Sequence, residues 1–175
     1  MKKILKVIVG IFIVFIAIGI FSGKSTDEGN SGQKGKEVTI VEIGKPLTTK
    51  RFEVTVNKVS FQDRVNTGNQ FASLPKKDGV KYLVMDVTFK NVDNESRTLL
   101  DGEVIVNLDG KTFKYDRSET IMLEGWGLLL DSVNPMMSKK TKLVYALPSE
   151  LKNADLFYVP HLSPKNTMIN LGHID

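Results

Sequence analysis

The apolar positions of this chain fall into two regimes. From Val7 to Phe21 the run VIVGIFIVFIAIGIF carries no polar side chain, whereas from Glu37 onward apolar residues recur at every second position and no stretch sustains a 3.6-residue period. Between them, Ser22 to Lys36 (SGKSTDEGNSGQKGK) holds four Gly, three Ser and no large apolar side chain. The pattern predicts three segments: an apolar helix within residues 1–21, a flexible linker over 22–36 and an all-β domain over 37–175.

Extending the apolar run through Ile4 and Leu5, with Lys6 snorkelling to the headgroups, gives a helix from Ile4 to Ser22, about 28 Å long at 1.5 Å per residue. That is close to the ~30 Å of a bilayer's hydrocarbon core. Lys2, Lys3 and Lys6 precede the run, so the positive-inside rule leaves the N-terminus in the cytoplasm and everything after Ser22 outside. A cleaved secretory signal also has a charged front and an apolar centre. Its cut site would have to use Ile20-Phe21-Ser22 or Gly23-Lys24-Ser25, poor substitutes for A-x-A. Run length and cut site favour an uncleaved anchor, and either reading exports the domain. The linker cannot repay its ordering entropy by burial. As a random coil it reaches about 20 Å.

Within the domain, RFEVTVNKVSF puts Phe52, Val54 and Val56 on one parity and Val59 and Phe61 on the other. One extra residue near Asn57-Lys58 restores a single apolar face, so a bulge is expected there. In YLVMDVTFKNVDNES, Leu83, Met85, Val87 and Phe89 face one way and Asp86, Thr88 and Lys90 the other, the pattern of a half-buried strand. Asp109-Gly110 in EVIVNLDGKTFKYD signals a type I′ hairpin that sets Val106 opposite Phe113 and Val104 opposite Tyr115. Thr141, Leu143, Tyr145 and Leu147 alternate in a later strand, and DLFYVP and NTMINL supply two more. Only Ser149 to Asn153 has room for a helical turn. About eight strands without covering helices point to an antiparallel two-sheet sandwich, with a closed barrel as the alternative.

Composition narrows the chemistry. Cysteine is absent from the 175 residues, which removes disulfides, thiolate metal sites, cysteine nucleophiles and a lipid-bearing thiol. The basic balance comes largely from the first segment: without its three lysines, 21 basic residues face 20 acidic ones. Lys and Arg are scattered among acids, so no phosphate-tracking stripe and no nucleic-acid partner is expected.

FEVTVNKVSF, GVKYLVMDVTFKNVDNES, the LDGKTFKYD hairpin, KLVYALPSE and DLFYV, in that order, resemble the DUF4352 family of exported bacterial and phage-associated proteins. The resemblance covers Glu37 to Val159. It implies an immunoglobulin-like β-sandwich behind a signal, lipoprotein signal or membrane anchor, with no established enzymatic activity or shared ligand. Two departures stand out: the lipid-attachment cysteine of many relatives is missing, and Asn134-Pro135-Met136 stands where relatives often have a Pro-Gly turn.

Candidate chemistry is sparse. GIFSGKS (Gly19 to Ser25) has one residue too few between its glycines for a P-loop. His161 and His173 lack the spacing of a zinc motif, and no G-x-S-x-G marks a serine nucleophile. Asn91-Val92-Asp93-Asn94-Glu95 offers alternating oxygens but lacks the Gly and distal Glu of a calcium loop, and reads as a turn. No metal and no cofactor is expected.

Two loops look more like contact surface. Gln62 to Val80 is long for a structureless connection; its Phe71 and Leu74 either meet a partner or plug the open end of the sandwich. Trp126, the only tryptophan, lies between Gly125 and Gly127 and either meets a partner or covers the core beside Leu128 to Leu130. The reading is a non-catalytic, membrane-tethered extracytoplasmic domain that binds a protein or envelope component through Trp126, Phe71 and Leu74. The alternative is an exported metal-dependent binder or enzyme that uses the Asp-rich turns.

Overall fold

The computed structural model describes residues 38–128 and 132–175. The expected membrane segment and linker lie outside the described residues, as do Leu129 and Leu130. Eleven strands follow in chain order: β1 Thr39–Val41, β2 Leu47–Thr48, β3 Phe52–Gln62, β4 Val80–Asn91, β5 Arg97–Thr98, β6 Glu103–Leu108, β7 Lys111–Tyr115, β8 Ser132–Val133, β9 Ser138–Pro148, β10 Ala154–Val159 and β11 Thr167–Ile174. Ser149 to Asn153 is a tight turn rather than a helical one, with the Leu151 N–H donating to the Pro148 carbonyl at 3.2 Å.

Two sheets form, β1-β11-β10-β6-β7 and β2-β3-β4-β9, with β5-β8 as a separate two-stranded piece. Val54, Val56, Leu83, Met85, Leu143 and Tyr145 from the second sheet share one core with Val104, Val106, Leu156, Tyr158 and Ile169 from the first. This is a two-layer sandwich rather than a closed barrel. The chain crosses from β4 to β6, returns to β9 beside β4, then crosses again to β10 beside β6, an interlocking of Greek-key type. Among the named strands one pairing departs from the antiparallel expectation: β1 runs parallel to β11, with Thr39 opposite Thr167. A parallel partner needs no tight turn and here comes from the far end of the domain, so no local signal announces it.

The bulge forms where the parity changes. The β3–β4 register shifts between Val56 and Lys58, and the extra residue, Asn57, donates its side-chain amide to Thr88 Oγ1 at 2.9 Å. Val59 thereby packs against the same core as Val54 and Val56, which leaves Lys58, Ser60 and Gln62 on the outer face. The β6–β7 hairpin also has its expected register, with Asp109 at φ 50° and Gly110 at φ 72°, as a type I′ turn requires.

β4 is not simply half-buried. Leu83, Met85, Val87 and Phe89 face the shared core, but Tyr82 and Val84 on the opposite face are buried as well. They join Val65, Ile121 and Val144 in a second apolar cluster, built from the connections before β4 and after β7. The apolar residues at Tyr82 and Val84, on the parity that is polar further along, are the trace of this cover in the sequence.

The polar end of β4 is a hydrogen-bonded turn. Buried Asn91 donates from Nδ2 to the carbonyls of Glu95 (2.8 Å) and Val133 (2.7 Å) and accepts the Asp93 N–H at Oδ1 (2.8 Å). The Asp93 carboxylate accepts from Arg97 Nε and the Asn94 N–H, both at 2.7 Å, and these two bonds, the arginine's first, hold its pKa below the usual carboxylate value. In the core, the Tyr145 hydroxyl donates to the Gly102 carbonyl at 3.0 Å. Gly102 has no room for a side chain: a Cβ there would lie 2.4 Å from the Val159 carbonyl oxygen.

Candidate functional site

The bulge in β3 also helps to build a concavity on the outer face of the second sheet. It turns Lys58, Ser60 and Gln62 outward, next to Val84 and Asp86 of β4 and Lys142 of β9. Lys58 and Lys142 stand directly across the strands from Asp86, one on each side. Lys142 Nζ forms an ion pair with the Asp86 carboxylate.

Two connections raise the walls. Gly125 to Gly127 lies along the free edge of β9: the Lys142 N–H donates to the Gly125 carbonyl at 2.9 Å and the Gly127 N–H to the Lys142 carbonyl at 2.8 Å. Thr141 Oγ1 adds a buried bond to the Gly127 carbonyl at 2.7 Å. Gly125 and Gly127 have φ of 80° and 68°, values a residue with a side chain adopts only with strain. The backbone pairing fixes Trp126, whose ring lies under Lys142 Nζ at 5.7 Å from its centroid, within cation–π reach.

Asn66, on the connection between β3 and β4, also lines the concavity. That connection is closed by paired backbone bonds between Val65 and Leu74, both 2.9 Å, and latched to the sheet by the Tyr82 hydroxyl, which donates to the Pro75 carbonyl at 3.1 Å. The resulting cleft has a volume of about 210 Å³. An indole and Val84 supply its apolar surface; amines, amides, a hydroxyl and one carboxylate supply the rest.

The three residues singled out from sequence thus separate. Trp126 forms a wall of the cleft. Leu74 packs with it on the second apolar cluster, on the outer face of the sheet rather than at an open end of the sandwich. Phe71 is 90% exposed on the same connection as Asn66 and plugs nothing. Sequence reading missed Lys58, Ser60, Gln62, Asp86 and Lys142. The bulge signal places the first three on the outer face, but their meeting with Trp126 depends on a pairing between distant segments. It also missed the cross-strand pair of His173 Nδ1 and Asp155 Oδ1, 2.8 Å apart and exposed. Among the described residues, no group of three or more His, Cys, Asp or Glu is placed to hold a metal ion.

A family model described as "Domain of unknown function (DUF4352)" matches residues 41–168. The chain belongs to the DUF4352 family. Two solved structures share the sandwich. One is an uncharacterized β-sandwich protein from Clostridium difficile 630, with 18% identity over 82% of this chain and 100% of that one and a TM-score of 0.56. The other is a conserved hypothetical protein from Bacillus anthracis, with 17% identity over 75% of this chain and 95% of that one and a TM-score of 0.51. At such identities the likeness is one of fold. A search of curated proteins gave no match. The DUF4352 match spans the cleft, the Asn91 turn and the Asp109-Gly110 hairpin.

Proposed function

We propose that this chain is a non-catalytic binding domain, held outside the membrane by its N-terminal apolar segment, which recognises a protein or cell-envelope component at the Trp126 cleft. The cleft carries the reading. Its volume of about 210 Å³ is below the ~300–1,000 Å³ of sites that enclose a whole small ligand. It suits a group protruding from a larger partner. Trp126 is pinned by backbone bonds and little entropy is lost on contact, the condition under which an aromatic residue dominates an interface. Lys58, Gln62 and Asn66 offer N–H donors around it, and Phe71 extends the surface on the same connection as Asn66.

The interlocked strand order supports an immunoglobulin-like assignment, in which loops and sheet faces of a rigid sandwich do the binding. The apolar run and its three leading lysines support the tether. The lining supports a non-catalytic role: Asp86, its one carboxylate, is committed to Lys142.

A photo-crosslinking residue at Asn66 of the full-length chain, irradiated on producing cells, tests this. A discrete adduct is expected that Trp126→Ala removes and Phe71→Ala weakens less, with the unfolding transition of each variant recorded alongside. No adduct, or an adduct indifferent to Trp126→Ala in a folded protein, overturns the proposal.

A further inference from the structure

One end of the sandwich carries an unusual turn. Asn134-Pro135-Met136-Met137 is closed by the Met137 N–H donating to the Asn134 carbonyl at 3.1 Å. Met136 has φ 62°. Proline at the second position and a positive φ at the third define a type II turn, whose third position ordinarily takes glycine or asparagine. Here it holds a methionine that is 84% exposed, followed by Met137 at 60%. A flexible apolar side chain thus stands in water at a position where its own backbone is strained.

Its neighbours extend the apolar surface. The Met136 N–H donates to the Asn91 carbonyl and the Asn91 N–H to the Met137 carbonyl, so exposed Val92 lies alongside. The Val92 N–H donates to the Arg51 carbonyl, and the adjacent Lys50 N–H to the carbonyl of exposed Leu162. Lys50 and Lys165 are exposed on the connections that carry these residues and Lys140 three residues past Met137 on β9, while Asp93 and Glu95, which follow Val92, are both paired with Arg97.

The N-terminal part of the chain joins the domain at this same end. The Thr39 N–H donates to the Asn166 carbonyl at 2.8 Å, and Leu162 and Asn166 belong to the one connection between β10 and β11. Fifteen residues, Ser22 to Lys36, separate the apolar run from the domain, so a chain anchored by that run enters the sandwich at this end. The opposite end is about 35 Å further away, the length of an 11-residue strand such as β3.

We propose that this end of the sandwich rests on the outer surface of the bilayer, Met136, Met137, Val92 and Leu162 entering the interfacial region and Lys50, Lys140 and Lys165 meeting anionic headgroups. The inference rests on the tethered reading given above. Anchorage by the apolar run makes docking intramolecular, so a small contact suffices. Docking on this end leaves the Trp126 cleft on a side face and open to a partner.

The test uses the full-length chain reconstituted into phosphatidylcholine–phosphatidylglycerol vesicles, with a spin label on a single introduced cysteine at Val92 or, as reference, at Glu150 near the other end. Cysteine is otherwise absent. The expected result is a loss of collisional access by a water-soluble nickel chelate at position 92 but not at 150. Met136→Gly, which suits the turn, combined with Met137→Ser restores access at 92, as does charge reversal at Lys50, Lys140 and Lys165. Free access at 92 in a chain that floats with the vesicles overturns docking and leaves the tether standing. A chain that does not float overturns both. Protection at 92 that persists in detergent and grows with protein concentration assigns the surface to a second copy and likewise overturns docking.

Discussion

Asn91→Ala removes three side-chain hydrogen bonds from a residue that is 1% exposed. At about 0.5–1.5 kcal/mol net for each bond, the loss is about 3 kcal/mol. At roughly 4 °C per kcal/mol for a domain of this size, the unfolding midpoint falls by about 12 °C. Asn91→Asp is a sharper test. It keeps an acceptor for the Asp93 N–H but turns a carboxylate toward the two carbonyls that Nδ2 now serves, so at neutral pH it costs more than alanine. The sign follows from linkage. Burial against carbonyl oxygens raises the folded pKa of the new carboxyl, so its added penalty is absent at low pH and grows as pH rises through the unfolded value of about 3.9. Comparing the two variants at each pH cancels the titration of Asp93, whose lowered pKa acts in the opposite sense. Urea denaturation followed by the fluorescence of Trp126 measures each stability, with Asn94→Ala as an exposed control expected within about 0.5 kcal/mol of the parent. An Asn91→Ala loss below about 0.5 kcal/mol, or an Asn91→Asp variant equal to alanine at neutral pH, refutes the view that this residue holds the turn together.

Gly102→Ala drives a methyl group into the Val159 carbonyl and the Tyr158 ring and costs about 1–3 kcal/mol in the same denaturation experiment; an unchanged midpoint contradicts the packing described. Tyr145→Phe loses its bond to the Gly102 carbonyl and costs about 1 kcal/mol, whereas Tyr158→Phe is neutral or stabilising, because the Tyr158 hydroxyl is buried outside hydrogen-bond geometry with the Gly102 backbone beside it. Burial raises the pKa of both phenols, with nearby charge adding to it; their contribution is complete below the unfolded value of about 10 and is lost as pH rises beyond it. Stability therefore falls above that pH, and less steeply in the double Phe variant. EDTA or added calcium leaves the unfolding midpoint unmoved, since Asp93 is held by Arg97; a calcium-dependent rise would return the Asp-rich turn to consideration as a cation site.

Features set by neighbours along the chain were legible from the sequence. The change of parity at Asn57-Lys58 announced the bulge, and Asp109-Gly110 announced both a turn and a register. The oxygens around Asn91 read as a turn because Asn and Asp satisfy local backbone groups, and they do so here. Features set by distant pairing were not legible. β1 meets β11 across the whole domain, and the connections that bury Tyr82 and Val84 act through Val65 and Ile121, which look like ordinary loop residues in sequence. The cleft fell between these cases. Trp126 was conspicuous as a lone aromatic between glycines, but Lys142 and Asp86 became its neighbours only through the β4–β9 pairing and the strand-like docking of Gly125 to Gly127.

The proposed role stands on the sandwich lying outside the cell, and the cysteine-free sequence makes that directly measurable. A single cysteine introduced at Glu150, exposed after β9, is treated with a membrane-impermeant maleimide on intact cells. The account predicts labelling of cell-associated protein before lysis, equal to that after lysis. Labelling only after lysis would place the domain in the cytoplasm and contradict it.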